Sequence, residues 1–132
     1  MKAIFFDKTG GVDVLQYGNF SIPQLKEGGA LIRVRACALN HLDLWIRREQ
    51  GWAEPMPHIP GSDISGIIEK INGKSEFQVG DEVVINPSIP CGNCRSCKSK
   101  KDCEKVIILG AKTQGGYAEY ATVPLSQVYP KP

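Results

Sequence analysis

Cys91, Cys94, Cys97 and Cys103 lie within 13 residues, in the pattern Cys-x2-Cys-x2-Cys-x5-Cys. No other feature limits the fold so tightly. Tetrahedral zinc takes four thiolates at about 2.3 Å, and cysteines this close in a loop can wrap one ion. Gly92 helps the chain fold back around it. Three other uses of the pattern stay open. Two disulfides would be unusual in a reducing compartment. An iron–sulfur cluster uses a similar opening, but the bacterial ferredoxin pattern continues x3-Cys-Pro, whereas here it continues x5-Cys-Glu. Reactive or regulatory thiols are the third. Charge favours a metal: Arg95, Lys98, Lys100, Lys101 and Lys105 crowd the same stretch and can screen four thiolates. The same cations also suit a solvated loop. A site closed by four cysteines keeps no open coordination position, so its expected role is structural. It would fold a lobe, spanning about residues 88–108, that has too little apolar content to fold itself.

The remaining chain bounds the setting. At 132 residues it is expected to form one domain, residues 1–132, with a core of its own. Fourteen glycines and nine prolines favour many turns and short strands over a helix bundle. A formal charge of +2 argues against a nucleic-acid module. No apolar run approaches the ~20 residues of a membrane span. Met1–Phe6 meets Asp7 and Lys8 at once, which is unlike a signal peptide. The expectation is a soluble, cytoplasmic protein without membrane or nucleic-acid partners. No G-x-G-x-x-G or G-x-x-x-x-G-K-[ST] phosphate cradle is present.

Periodicity points to a mainly β domain. Strands are expected at Lys2–Phe6, Val12–Phe20, Ile64–Ile71, Glu82–Ile85, Tyr117–Val123 and Ser126–Tyr129. The clearest alternation puts Ile32, Val34, Ala36 and Ala38 on one face, with Arg33 and Arg35 opposite. Asn40 can cap a two-turn helix over His41–Arg48, whose Arg47 and Arg48 suit its C-terminus. Pro55, Pro57 and Pro60 keep the stretch from Gly51 to Pro60 irregular. Trp45 and Trp52 are candidates to line a cleft, although core packing is the commoner use. His58 reads as a loop residue.

Five segments occur in a telling order. They are Val34–Asp43 (VRACALNHLD), Pro60–Gly66 (PGSDISG), Phe77–Val83 (FQVGDEV), the cysteine lobe, and Gly115–Tyr120 (GGYAEY). Together they resemble the N-terminal, GroES-like catalytic domain of the medium-chain dehydrogenase/reductase superfamily, nearest its zinc-containing alcohol dehydrogenase and quinone-oxidoreductase-like branches. The resemblance covers essentially the whole chain. It implies a partly open barrel of short strands, with few short helices and a protruding lobe holding structural Zn2+ on Cys91, Cys94, Cys97 and Cys103. It also implies a Rossmann domain, from the same gene or a separate chain, that binds NAD(H) or NADP(H); no such domain is recognisable in this chain.

The resemblance further implies site residues. Zinc-dependent members carry Cys-His-x-Asp where this chain reads Asn40-His41-Leu42-Asp43, and Gly-His-Glu where it reads Gly61-Ser62-Asp63. Two ligand positions are therefore Asn40 and Ser62. The proton-relaying hydroxyl is replaced by Leu42. Substrate oxygen would then be polarised by hydrogen bonds from Asn40, Ser62 or His41, with Asp63 orienting them. His41 also matches a basic residue near the cofactor pyrophosphate. Asp43 is left to bond His41, Arg47 or a backbone N–H. The implied function is hydride transfer between nicotinamide and a small-molecule carbonyl, enone or quinone, by the catalytic-domain portion of an oxidoreductase that is inactive alone. One rival is a standalone zinc-stabilised binding or scaffold module. Another is an alcohol dehydrogenase whose catalytic zinc uses Cys37 or Asp63. An exposed apolar cleft wall would favour homo-oligomers.

Overall fold

The alternating segment becomes β3 (Gly29–Cys37), which follows the turn at Glu27–Gly28 and is an inner strand of the main sheet. The computed structural model describes residues 1–49 and 53–132. Before β3 come β1 (Lys2–Phe5), a short 3-10 turn over Val12–Val14, and β2 (Gln16–Asn19). After it come α1 (His41–Arg48), β4 (Ile64–Asn72), β5 (Glu82–Ile85), β6 (Ser88–Ile89), α2 (Arg95–Lys98) and β7 (Ile107–Ile108). The chain closes with β8 (Tyr120–Pro124), a 3-10 turn over Leu125–Gln127, and β9 (Val128–Pro130). An antiparallel five-stranded sheet has the order β8-β3-β4-β5-β9, and β1-β2 and β6-β7 form separate pairs. The architecture is mainly β, with open sheets and few short helices.

Strand β3 departs from simple alternation. Its register against β4 slips between Leu31 and Ile32 and again between Val34 and Ala36. The first slip leaves Glu69 of β4 unpaired, and the second leaves Arg35 of β3 unpaired. Ala30, Leu31 and Ile32 are buried in succession, while Ala36 and Ala38, expected on the inner face, follow the extra residue Arg35 and are exposed. Strand β4 alternates regularly through Ile64, Gly66 and Ile68. With Ile32 from β3, Val83 from β5, and Ala121 and Val123 from β8, these isoleucines form the main core. A second cluster, Phe6, Val14, Ile46, Ala53 and Ala111, fastens α1 to the N-terminal strands.

Other expectations shift slightly. The stretch Val12–Phe20 is split into a 3-10 turn and a strand, and Ser126–Tyr129 likewise divides between a 3-10 turn and β9. Tyr117 precedes β8 rather than opening it. Arg47 does not solvate the end of α1. It is buried, and its guanidinium donates to Gly10 O at 2.8 Å. Trp52 lies outside the described residues, and Trp45 stands half-exposed, edge-on to His41 at 5.0 Å. Among the described residues no helix is long and apolar enough to cross a membrane.

Candidate active site

The last residues of β3, the start of α1, and the segments 60–63 and 115–118 converge beside a cavity of about 850 Å3. Asp43 joins them. As N3 of α1 its carboxylate sits in the positive field of the helix start. It accepts from Asn40 N at 2.8 Å, completing one half of a capping box. It also accepts from Gly61 N at 3.1 Å and from the Tyr117 hydroxyl at 2.6 Å. Asp43 therefore bonds its own cap, a facing backbone N–H and Tyr117, not His41 or Arg47. Asn40 sends its side chain elsewhere: Nδ2 donates to Asp63 Oδ2 at 2.8 Å.

Of the candidate residues, Asn40 and His41 line the cavity, together with Asp43, Cys37 and Tyr117. Asp63 is exposed and reaches the site through Asn40. Ser62 is buried, its Oγ has no hydrogen-bond partner among the described residues, and it does not line the cavity. The sequence reading assigns no site role to Tyr117. An aromatic residue before a strand carries no local mark of a contact made across 74 positions.

Packing and charge set the protonation states. Gly61 adopts φ +98°, and a Cβ there would fall 2.6 Å from Tyr117 Cδ1 and 2.7 Å from Cys37 Sγ. The Cys37 thiol is thus held against backbone. Burial first, then the charges of Asp43 and Asp63, push its pKa up to about 12. It stays a neutral thiol near pH 7, a weak nucleophile. Burial and the hydrogen bond to Asp43 likewise push the Tyr117 hydroxyl well above its ordinary range, so it remains a proton donor. Asn40, Ser62 and Asp63 do not offer the firm three-ligand donor set that catalytic zinc needs.

His58 sits behind this site, fully buried against Phe6. Its Nε2–H donates to Gly110 O at 2.8 Å, and Nδ1 has no partner among the described residues. Burial pushes its pKa below the ordinary 6.5. The unfolded chain therefore binds this proton more readily than the folded one, and protonation favours unfolding. Stability is expected to be flat, as far as His58 is concerned, above pH 6.5 and to fall as the pH drops below it. Urea midpoints for wild type and His58→Gln between about pH 7.5 and 5.5 check this. The variant should lose the slope, and an equal slope in both would assign it elsewhere.

The four lobe cysteines are gathered as the spacing predicts. Their Sγ atoms all lie within 4.8 Å of one another, with Cys91–Cys97 and Cys94–Cys103 at 4.0 Å. One zinc with bonds of about 2.3 Å sets thiolates about 3.8 Å apart, so the cluster fits a single tetrahedral ion. Among the described residues it is the one group of three or more metal-ligating side chains brought together. All five cysteines are free thiols. Gly92, at φ +73°, turns the chain between the first two. Backbone N–H groups point at the sulfurs: Cys97 N to Cys94 at 3.4 Å, and both Cys91 N and Lys105 N to Cys103 at 3.3 Å. The N–H of Cys97 draws the Cys94 pKa down to about 6, while the side-chain contact with Cys94 pushes Cys97 up to about 12. Without metal, the cluster shares protons; a bound cation would displace them.

Comparison with known proteins agrees with this architecture. Residues 26–132 match the family model of the alcohol dehydrogenase GroES-like domain. L-threonine 3-dehydrogenase of Francisella philomiragia subsp. philomiragia is 32% identical over 117 residues, covering 84% of this chain and 33% of that protein. D-altritol 5-dehydrogenase of Agrobacterium fabrum is 32% identical over 126 residues, covering 93% and 37%. Among solved structures, an NAD-dependent alcohol dehydrogenase superposes with a TM-score of 0.91 at 39% identity, covering all of this chain and 40% of its own. The cobalt- and zinc-bound thermostable alcohol dehydrogenase from Pyrobaculum aerophilum gives 0.90 at 37% identity, covering 99% and 41%. The chain belongs to the medium-chain dehydrogenase/reductase superfamily, as an alcohol- or polyol-dehydrogenase-like GroES-like catalytic domain. It spans between a third and two fifths of the length of these relatives.

Proposed function

We propose that this chain is the substrate-side portion of an NAD(P)-dependent oxidoreductase that holds one structural zinc and works without a catalytic one. The observation carrying this reading is the Asn40–Asp63 hydrogen bond. It ties together the two segments where zinc-dependent members carry metal ligands. The Asn40 amide has two N–H groups. Asp63 accepts one and fixes the amide plane; the other is available to a substrate oxygen, since Asn40 lines the cavity. A fixed donor aimed at an oxygen that gains negative charge lowers the barrier without reorganisation. Ser62, buried beneath, supports the segment that carries Asp63. His41, exposed at the cavity rim, suits the anionic part of a dinucleotide. Nicotinamide, when bound, supplies or accepts the hydride, and the protein positions it. The four lobe cysteines hold the zinc, which keeps the lobe folded.

The test joins the chain to a nucleotide-binding domain and assays NAD(P)H oxidation with aldehyde or ketone, enone and quinone acceptors. Turnover is expected with one zinc per chain. Asn40→Ala should lower kcat/KM about a hundredfold, the usual effect of losing one such donor. Two zinc ions per active chain, or an Asn40→Ala variant as active as wild type, would overturn the reading. A second reading, a zinc-stabilised binding module without catalysis, is favoured by a cavity that this chain forms by itself. Full ligand affinity without nucleotide, and no turnover with the added domain, would select it.

A further inference from the structure

We propose that Tyr117 is a positioning residue for Asn40, acting through Asp43. The proposal rests on the reading of Asn40 as the group that meets substrate. Asn40 and Asp63 belong to segments 23 positions apart, and neither lies inside a regular element. Their hydrogen bond is useful only if those two segments keep a fixed spacing. Asp43 supplies the fixing, because one carboxylate accepts from Asn40 N on one side and Gly61 N on the other.

A carboxylate with two backbone donors can still swing about its own bond. The Tyr117 hydroxyl removes that freedom. It has one proton and two acceptors in range, Asp43 Oδ2 at 2.6 Å and Ala38 O at 3.3 Å. The shorter, charge-assisted contact takes the proton. Oδ2 then receives both Asn40 N and the Tyr117 hydroxyl, which leaves Oδ1 for Gly61 N. Tyr117 is itself seated by main-chain bonds: its N donates to Pro60 O at 3.0 Å, and its O accepts from Ile4 N at 2.8 Å. The ring lies against Gly61, where a Cβ would strike it. The hydroxyl is thus delivered from the N-terminal strands and the 115–118 segment to the one carboxylate that spaces Asn40 from Asp63.

The experiment is two-dimensional NMR of the zinc-loaded chain, wild type and Tyr117→Phe. Loss of one charge-assisted bond should speed backbone hydrogen exchange at Asn40 and Gly61 about tenfold. The two Asn40 side-chain amide protons should move to the shifts of a free primary amide. Amides within β3 and β4, such as Ile68, should stay within about twofold, since a local bond does not alter global opening. Unchanged Asn40 and Gly61 signals would overturn the proposal. So would a uniform acceleration, which marks general destabilisation. The wild type offers a check that needs no variant: the Tyr117 hydroxyl proton should give its own slowly exchanging resonance, and its absence would also overturn the assignment. These readouts involve no substrate. If Asn40→Ala keeps full activity, the substrate role of Asn40 fails while the positioning of its side chain is judged separately.

Discussion

Replacing Cys94 with serine is expected to take the metal content of the chain from one zinc to none and to unfold the lobe around it. Cys94 has two roles there. Its sulfur is one of four donors converging within 4.8 Å, and it accepts the N–H of Cys97 at the start of α2. Serine can accept that N–H, but its hydroxyl does not ionise near neutral pH and is a poor zinc ligand. Little else holds the lobe. Between Asn86 and Lys105 the regular structure is a two-residue strand and one helical turn, and α2 buries no residue. Native mass spectrometry gives the metal count, and hydrogen exchange gives the extent of unfolding. Protection should vanish between about residues 90 and 105 and persist in β3, β4 and β5. A variant that keeps its zinc through dialysis against a chelator would mean that Cys94 is not a ligand.

Gly61→Ala is expected to cost about 3–5 kcal/mol, from about 1–2 for a left-handed backbone and the rest for overpacking. Its φ is +98°, and the added methyl would meet Tyr117 and Cys37. Gly80 provides the control, because it has the same φ of +98° and open space for 4 Å around the place a methyl would take. Gly80→Ala should therefore show the backbone cost alone. Urea unfolding of both variants separates conformation from packing. Equal losses would show that the neighbours of Gly61 move aside freely.

Local rules made much of this molecule legible. Asn40 before an apolar pattern marked α1 from His41 to Arg48, as found. Cysteine spacing located the four-thiol cluster, and β-branched runs located β4 and β5. The failures have long-range causes. Ala36 and Ala38 are exposed beyond Arg35, the extra residue where β3 slips against a strand about 30 positions away, and no pattern within β3 announces that bulge. Arg47 looked like a solvated cation, yet its guanidinium is taken by a carbonyl at Gly10. Ser62 stands at a matched ligand position, but the packing around it hides its hydroxyl. Tyr117 became a site residue only when the fold carried it to Asp43. Sequence marked which segments meet; the bonds that decide how they meet depend on the tertiary fold.

The strand order bears on how the molecule is made. In β8-β3-β4-β5-β9 the two outer strands are the last to be synthesised. The inner three leave the ribosome first, and the cysteine lobe follows before either edge exists. The nascent chain therefore holds a sheet with both edges open while its four thiols are already outside. The lobe separates the inner strands from β8, which must return to pair with β3 across about ninety residues. This pairing spans the longest stretch of chain in the sheet, the kind of contact whose loop-closure cost slows folding, and it covers the long edge of β3 with the shorter β8.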